Sequence, residues 1–166
     1  MEFFILAAVD RGGLRTMYSL RQRAGLEPGG IRPALNNLEH EGLLRRSESG
    51  PRQRREFDLS ESGAKFLSHG WGECMRGKGE IDAILRSACV AELMGDVQAS
   101  SNYLAAMASE RTWQAQHRSR EAAHLPRRDP ISNHMWMRAI CDSRRLEAES
   151  SALLLVSKGR EPPGNE

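Results

Sequence analysis

Residues 28–44 read Pro28-Gly29-Gly30-Ile31-Arg32-Pro33-Ala34-Leu35-Asn36-Asn37-Leu38-Glu39-His40-Glu41-Gly42-Leu43-Leu44. Ile31, Leu35 and Leu38 recur at i, i+4 and i+7, which gives a helix one apolar face and leaves the opposite face polar. The helix begins near Gly29. Pro33 is tolerated there because the first turn has backbone donors without helical acceptors, and Gly42 ends the helix. The period then changes. Leu44-Arg45-Arg46-Ser47 and Arg55-Glu56-Phe57-Asp58-Leu59 read as two short strands, the second with Phe57 and Leu59 on one face. Glu48 to Arg54 form a polar hairpin tip between them. Ser60 is a good N-cap for a fourth helix through Ala64, Phe66 and Leu67.

Working back toward the N-terminus, residues 3–9 are apolar and predict a buried helix stopped by Gly12-Gly13. Thr16 can cap a short helix from Met17 to Ala24 with Met17, Leu20 and Ala24 inward, and Gly25 follows where a left-handed cap residue is expected. The order is helix, helix, helix, strand, basic hairpin, strand, helix within about 70 residues, which is the layout of a winged helix-turn-helix. The expected fold class is mainly α with a small β-hairpin, the winged domain (residues 1–69) being followed by a long C-terminal helical hairpin.

The residues in this order resemble the PadR family of transcriptional regulators. The run 28–44 is similar to the family pattern P-G-T-L-Y-P-A-L-x-x-L-E-x-x-G-L-[LI]. Arg54-Arg55-Glu56-Phe57-Asp58-Leu59-Ser60-Glu61-Ser62-Gly63 is similar to R-x-Y-Y-x-L-T-x-x-G. Gly13 to Leu20 occupies the place of P-L-H-G-Y-E-L. Arg32 stands where the family usually has Tyr, Glu56 where it has the first of two aromatics, and Met17 where a Tyr is common. The resemblance implies a homodimeric DNA-binding regulator, most often a repressor, whose C-terminal helices make the dimer.

A recognition helix turns its apolar face to the core and its polar face to the major groove. With Ile31, Leu35 and Leu38 inward, Gly29, Arg32, Pro33, Asn36, Asn37 and His40 lie opposite. Arg32 and Asn36 are surface neighbours four apart, and their chemistry suits guanine and adenine edges respectively. Gly29 and Gly30 let a phosphate backbone approach the helix N-terminus. Between Leu44 and Arg55 there are five Arg (45, 46, 52, 54, 55) against one acid, Glu48. Such a patch suits a polyanion, although a solvated loop can carry the same charge. Arg52, Arg54 and Arg55 are the candidates to clamp phosphates or enter the minor groove, Arg52 and Arg54 sitting at the tip, and strand alternation points only one of Arg45 and Arg46 outward.

After His69 the composition shifts to Gly70, Gly72, Gly77 and Gly79, a permissive junction. Residues 80–123 then predict one long helical stretch, with stripes at Ile81, Ile84, Leu85, Ala88 and at Met94, Val97, Ser101, Leu104, Ala108. Leu125 to Pro130 is a turn, and Asp129 caps a last helix that starts at Pro130 and reaches about Ser157. Its apolar positions include Met135, Ile140, Leu146, Leu153 and Leu154. Residues 70–157 therefore form a helical dimerisation and effector region, and residues 158–166 a Pro/Gly-rich disordered tail. Two antiparallel helices cannot bury stripes this wide alone, so a second copy is implied. The PadR resemblance makes Trp71, Trp113 and Trp136 candidates for an effector pocket, because some members of that family bind phenolic or planar molecules between helices. Packing in a core or interface is the alternative.

The composition sets the outer limits. The chain has 166 residues, 24 Lys+Arg (21 of them Arg) against 22 Asp+Glu, and nine aromatics, few for a β-rich protein or a single-strand stacker. Cys74, Cys89 and Cys141 are odd in number and widely spaced, unlike a secreted disulfide framework. Cys89 and Cys141, placed on one straight hairpin, would lie roughly 36 Å apart, so only an intermolecular bridge or a lone reactive thiol is open to them. The five histidines show no ligand spacing, so neither metal nor cofactor is expected. No nucleophile elbow, phosphate loop or metal motif points to an enzyme. The longest apolar run, Phe3 to Val9, is too short for a membrane span and lacks the basic flank of a secretory signal, so the expected location is cytoplasmic. The expected partners are double-stranded DNA, a second copy and a small-molecule effector. The competing reading is a protein-interaction adaptor on the same fold.

Overall fold

The structure, a computed structural model, describes residues 1–49, 54–77, 79–126 and 129–159. Phe4 to Val9 are all buried, so α1 (Glu2–Asp10) is enclosed on every side, as an uninterrupted apolar run requires. Two helices follow: α2 (Met17–Ala24) and α3 (Pro28–His40). Thr16 and Ser19 form a reciprocal capping box at the start of α2, and Gly25 closes it at φ +62°. On α3 the residues Ile31, Leu35 and Leu38 are at most 1% exposed, and Ala34 joins them. The chain then pairs β1 (Leu44–Ser49) antiparallel with β2 (Arg54–Leu59), longer strands than the sequence predicts, with Leu44 opposite Leu59 and Arg46 opposite Phe57.

Ser60 caps α4 (Glu61–Gly70) through the Gly63 amide, and its hydroxyl donates to the Gly42 carbonyl at 2.6 Å. Gly63 packs its Cα against the Leu43 carbonyl, a contact any Cβ would violate. A 3-10 turn (Trp71–Arg76) leads to α5 (Ile81–Leu93), which packs on α1 and contributes Val90 to the same core. Two longer helices complete the chain, α6 (Val97–His124) and α7 (Pro130–Lys158). The described residues thus form seven α-helices and one small antiparallel hairpin, and none of those helices is long and apolar enough to cross a membrane.

Several features differ from the sequence reading. The helix expected over 80–123 is broken: α5 stops at Leu93, and Gly95 takes φ +88°, which an L side chain rarely adopts. The first compact unit accordingly runs to Asp96 and the second starts at Val97, whereas the sequence places residues 70–96 with the C-terminal helices. Contacts of α5 with α1, far apart in sequence, make that difference. Cys89 lies on α5 in the first unit and Cys141 on α7 in the second, so the single-hairpin separation derived for them does not apply; no disulfide joins any two of the three cysteines. Lys158 belongs to α7, and the remainder of the expected tail from residue 160 lies outside the described residues.

The second unit is built on small residues. Ser143, Ser150 and Ser157 of α7 donate their hydroxyls to the carbonyls of Ala115, Ala108 and Ser101 of α6, at 3.0, 2.9 and 3.1 Å. The donors recur every seven residues and so do the acceptors, which is the repeat of two antiparallel helices in continuous contact. A serine side chain reaches a neighbouring backbone only if the helices approach closely. Leu104, Leu146 and Leu153 fill the intervening layers, and Arg111 meets Glu149 at 2.9 Å with both side chains largely buried. Of the expected α7 stripe, Leu146 and Leu153 face this seam, whereas Met135 (52% exposed) and Leu154 (41%) do not.

Candidate functional site

Leu44, Arg46, Phe57 and Leu59 share one face of the hairpin, because strand residues two apart and residues directly opposite point the same way. Phe57 is 3% exposed and ties that face to the core. Its amide donates to the Arg15 carbonyl at 2.7 Å, and the Arg15 guanidinium reaches Asp58 at 3.1 Å. The loop before α2 therefore holds β2 in place. From this anchored hairpin an open cavity of about 970 Å³ extends to the polar sides of α2 and α3. It is lined by Arg46, Arg55 and Phe57 from the hairpin, Arg32 and Asn36 from α3, and Thr16, Met17 and Tyr18 around the start of α2.

The predicted site residues fall into three groups. Arg32 and Asn36 sit on one stripe of α3, both exposed and both lining the cavity, and Arg55 meets them from β2. Gly29, Gly30 and Asn37 are exposed on the same helix outside the cavity lining. Arg52 lies outside the described residues; Arg54 begins β2. Gly29 and Gly30 occupy the second and third positions of α3, where the N-cap Glu27 offers no side-chain bond. Neither has a positive φ, and a Cβ at either would meet nothing within 4 Å. Nothing inside the protein asks for glycine there, although each glycine costs a helix about 1 kcal/mol relative to alanine.

Charge is distributed unevenly over this surface. Arg46 pairs with Glu39 and Arg15 with Asp58, while Arg32, Arg45 and Arg55 have no ion pair among the described residues. Of these, Arg32 and Arg55 line the cavity, whereas Arg45 lies on the other face of the hairpin. Sequence reasoning did not single out Tyr18, which is 74% exposed at the cavity edge. The signal was available: once Met17, Leu20 and Ala24 turn inward, Tyr18 is left outside. The engagement of Arg46 had no such signal, since its partner lies on another element.

The three tryptophans are placed separately. Trp71 is half-buried in the 3-10 turn of the first unit, where its carbonyl accepts the Cys74 thiol at 2.8 Å. Trp136 is half-buried on α7. Trp113 is 61% exposed on α6 and stacks on His117 with centroids 5.6 Å apart. It alone of the three lines the cavity of about 470 Å³ formed by Arg111, Gln114, His117, Arg118, Asp142, Arg145 and Leu146. Among the described residues no three His, Cys, Asp or Glu side chains gather as a metal site would require. Compared with known proteins, the chain matches no protein-family model and no curated sequence.

Proposed function

We propose that this chain is a sequence-specific, double-stranded-DNA-binding regulator with a PadR-like winged helix, acting as a homodimeric repressor. The observation that carries the reading is the meeting of Arg32 and Asn36 on one exposed stripe of α3 with Arg55 of the hairpin around one open cavity. A donor-rich helix edge beside a basic ribbon supplies both halves of duplex recognition, base contacts from the helix and phosphate contacts from the ribbon. In this reading α3 enters the major groove and the hairpin lies along the adjacent backbone. The dimer part rests on the second unit. Its seam is filled by serines, alanines and a few leucines, while Trp113, Ile131, Met135, Met137, Leu154 and Leu155 are left at 41–75% exposure. A second copy would cover them at roughly 25 cal/mol for every Å² removed from water. Two-fold symmetry then sets two copies of α3 about 34 Å apart or a multiple of it, on an inverted repeat.

The same exposed apolar set favours the second reading, an adaptor that uses the helices to hold another protein and does not read DNA. Electrophoretic shift with a pool of random duplexes separates the two. The regulator retards and enriches a subset of the pool, and Arg32→Ala then weakens the enriched duplex by about 1–3 kcal/mol and relaxes its preference at one base pair. A chain that enriches no duplex refutes this reading and leaves the adaptor.

A further inference from the structure

Arg46 is the cavity arginine that the fold already engages. Its Nη2 lies 2.5 Å from Glu39 Oε2, and its guanidinium sits 5.7 Å from the centroid of Phe57. Glu39 follows Arg32 and Asn36 at i+7 and i+3, so it stands on the same stripe of α3. A carboxylate on a stripe that faces a polyanion opposes binding unless it is neutralised. Arg46 neutralises it through Nη2, and that contact fixes where the guanidinium stands. The pair also links two elements: β1 reaches the last turn of α3 through it, while β2 is held independently by Arg15.

We propose that Glu39 and Arg46 form a positioning pair that sets the hairpin against α3, so that Arg55 and the Arg32–Asn36 edge engage one duplex together. The proposal rests on the DNA-binding reading above. Arg46, although it belongs to the basic hairpin, is thereby assigned to geometry and not to phosphate contact.

The sign of one substitution tests this. Full-length protein selects a duplex from a random pool. Affinity is then measured on that duplex and on a scrambled one of equal length, at several salt concentrations, for the wild type, E39Q and R46Q. Removing a carboxylate makes the protein more cationic, so simple attraction has E39Q binding both duplexes more tightly. A positioning role instead has E39Q binding the selected duplex roughly tenfold more weakly, with little change on the scrambled one. R46Q loses the same preference with its salt slope on the scrambled duplex unchanged, whereas a phosphate contact made by Arg46 itself would be lost on both duplexes and flatten both slopes by about one unit. The pair is partly exposed, so melting temperatures stay within about 3 °C of wild type, and lost preference is not lost folding. E39Q binding the selected duplex as tightly as wild type, or more tightly, overturns the positioning role, as does an R46Q slope flattened on the scrambled duplex as well. A wild-type protein that enriches no duplex overturns the DNA-binding reading itself.

Discussion

Gly30→Ala should make the protein more stable and worse at its task. Gly30 is the third residue of α3, its φ is not in the left-handed region, and a Cβ there meets nothing within 4 Å. Alanine fits the native backbone without strain and reduces the freedom of the unfolded chain, which stabilises by about 0.4–1 kcal/mol. For a chain of this size that raises the melting temperature by about 1–4 °C. On the proposed DNA surface the sign reverses. The new methyl group stands at an uncapped helix N-terminus, where a phosphate oxygen would approach the backbone amides. Losing one such charge-assisted bond costs about 1.5–3 kcal/mol of affinity. Thermal unfolding and a duplex titration on the same preparations check both halves, and Gly29→Ala should follow the same pattern. Variants that gain stability and keep full affinity refute the reasoning, because no partner would then approach this end of α3.

Three further outcomes follow from the described contacts. Asp129 accepts the Ser132 hydroxyl, then the Ser132 and Ile131 amides, and these bonds hold its carboxyl below the ordinary aspartate range. The cap is therefore present above the unfolded value and is lost as the pH falls through the lower native one, so the Ile131 and Ser132 amide shifts should move only there; Asp129→Asn should remove that dependence. Burial pushes the Cys74 thiol up, whereas Cys141 is exposed, so iodoacetamide at mildly alkaline pH should label Cys141 well before Cys74, as peptide mapping would show. Ser150→Leu forces a bulky side chain against Ala108 and should destabilise the second unit by about 1–3 kcal/mol. Ser150→Ala forfeits the bonds of its hydroxyl to the Ala108 carbonyl and the Thr112 hydroxyl, and urea unfolding should place the loss at about 0.5–1.5 kcal/mol for each.

The first 70 residues were legible because their determinants are local. Ile31, Leu35 and Leu38 name their own face, Thr16 and Ser60 cap the helices they precede, and Phe57 alternates into the core. The cavity residues Arg32, Asn36 and Arg55 follow from those faces. The boundary at Asp96 was hidden, because apolar residues keep helical spacing through Leu93, Met94 and Val97, and only the φ of Gly95 breaks the path. The α6–α7 seam was hidden for another reason. A search for large apolar stripes passes over Ser143, Ser150 and Ser157, whose burial depends on carbonyls on another helix. The Glu39–Arg46 pair was invisible for the same cause, a partner supplied by tertiary structure.

Small residues on the inside and large ones on the outside give the α6–α7 hairpin an unusual division of roles. The buried serines find acceptors on the facing helix, so their burial carries no unpaired donor, and close backbone approach replaces side-chain volume as the source of packing. Such a seam closes without help from a second chain. The exposed Ile131, Met135, Met137, Leu154 and Leu155 contribute nothing to it. If the dimer of the proposed function forms, it adds to a hairpin that is already complete and does not create one. Dilution should then separate copies while leaving the helices intact, and the concentration dependence of DNA binding reports the pairing of sites, not the folding of the chain.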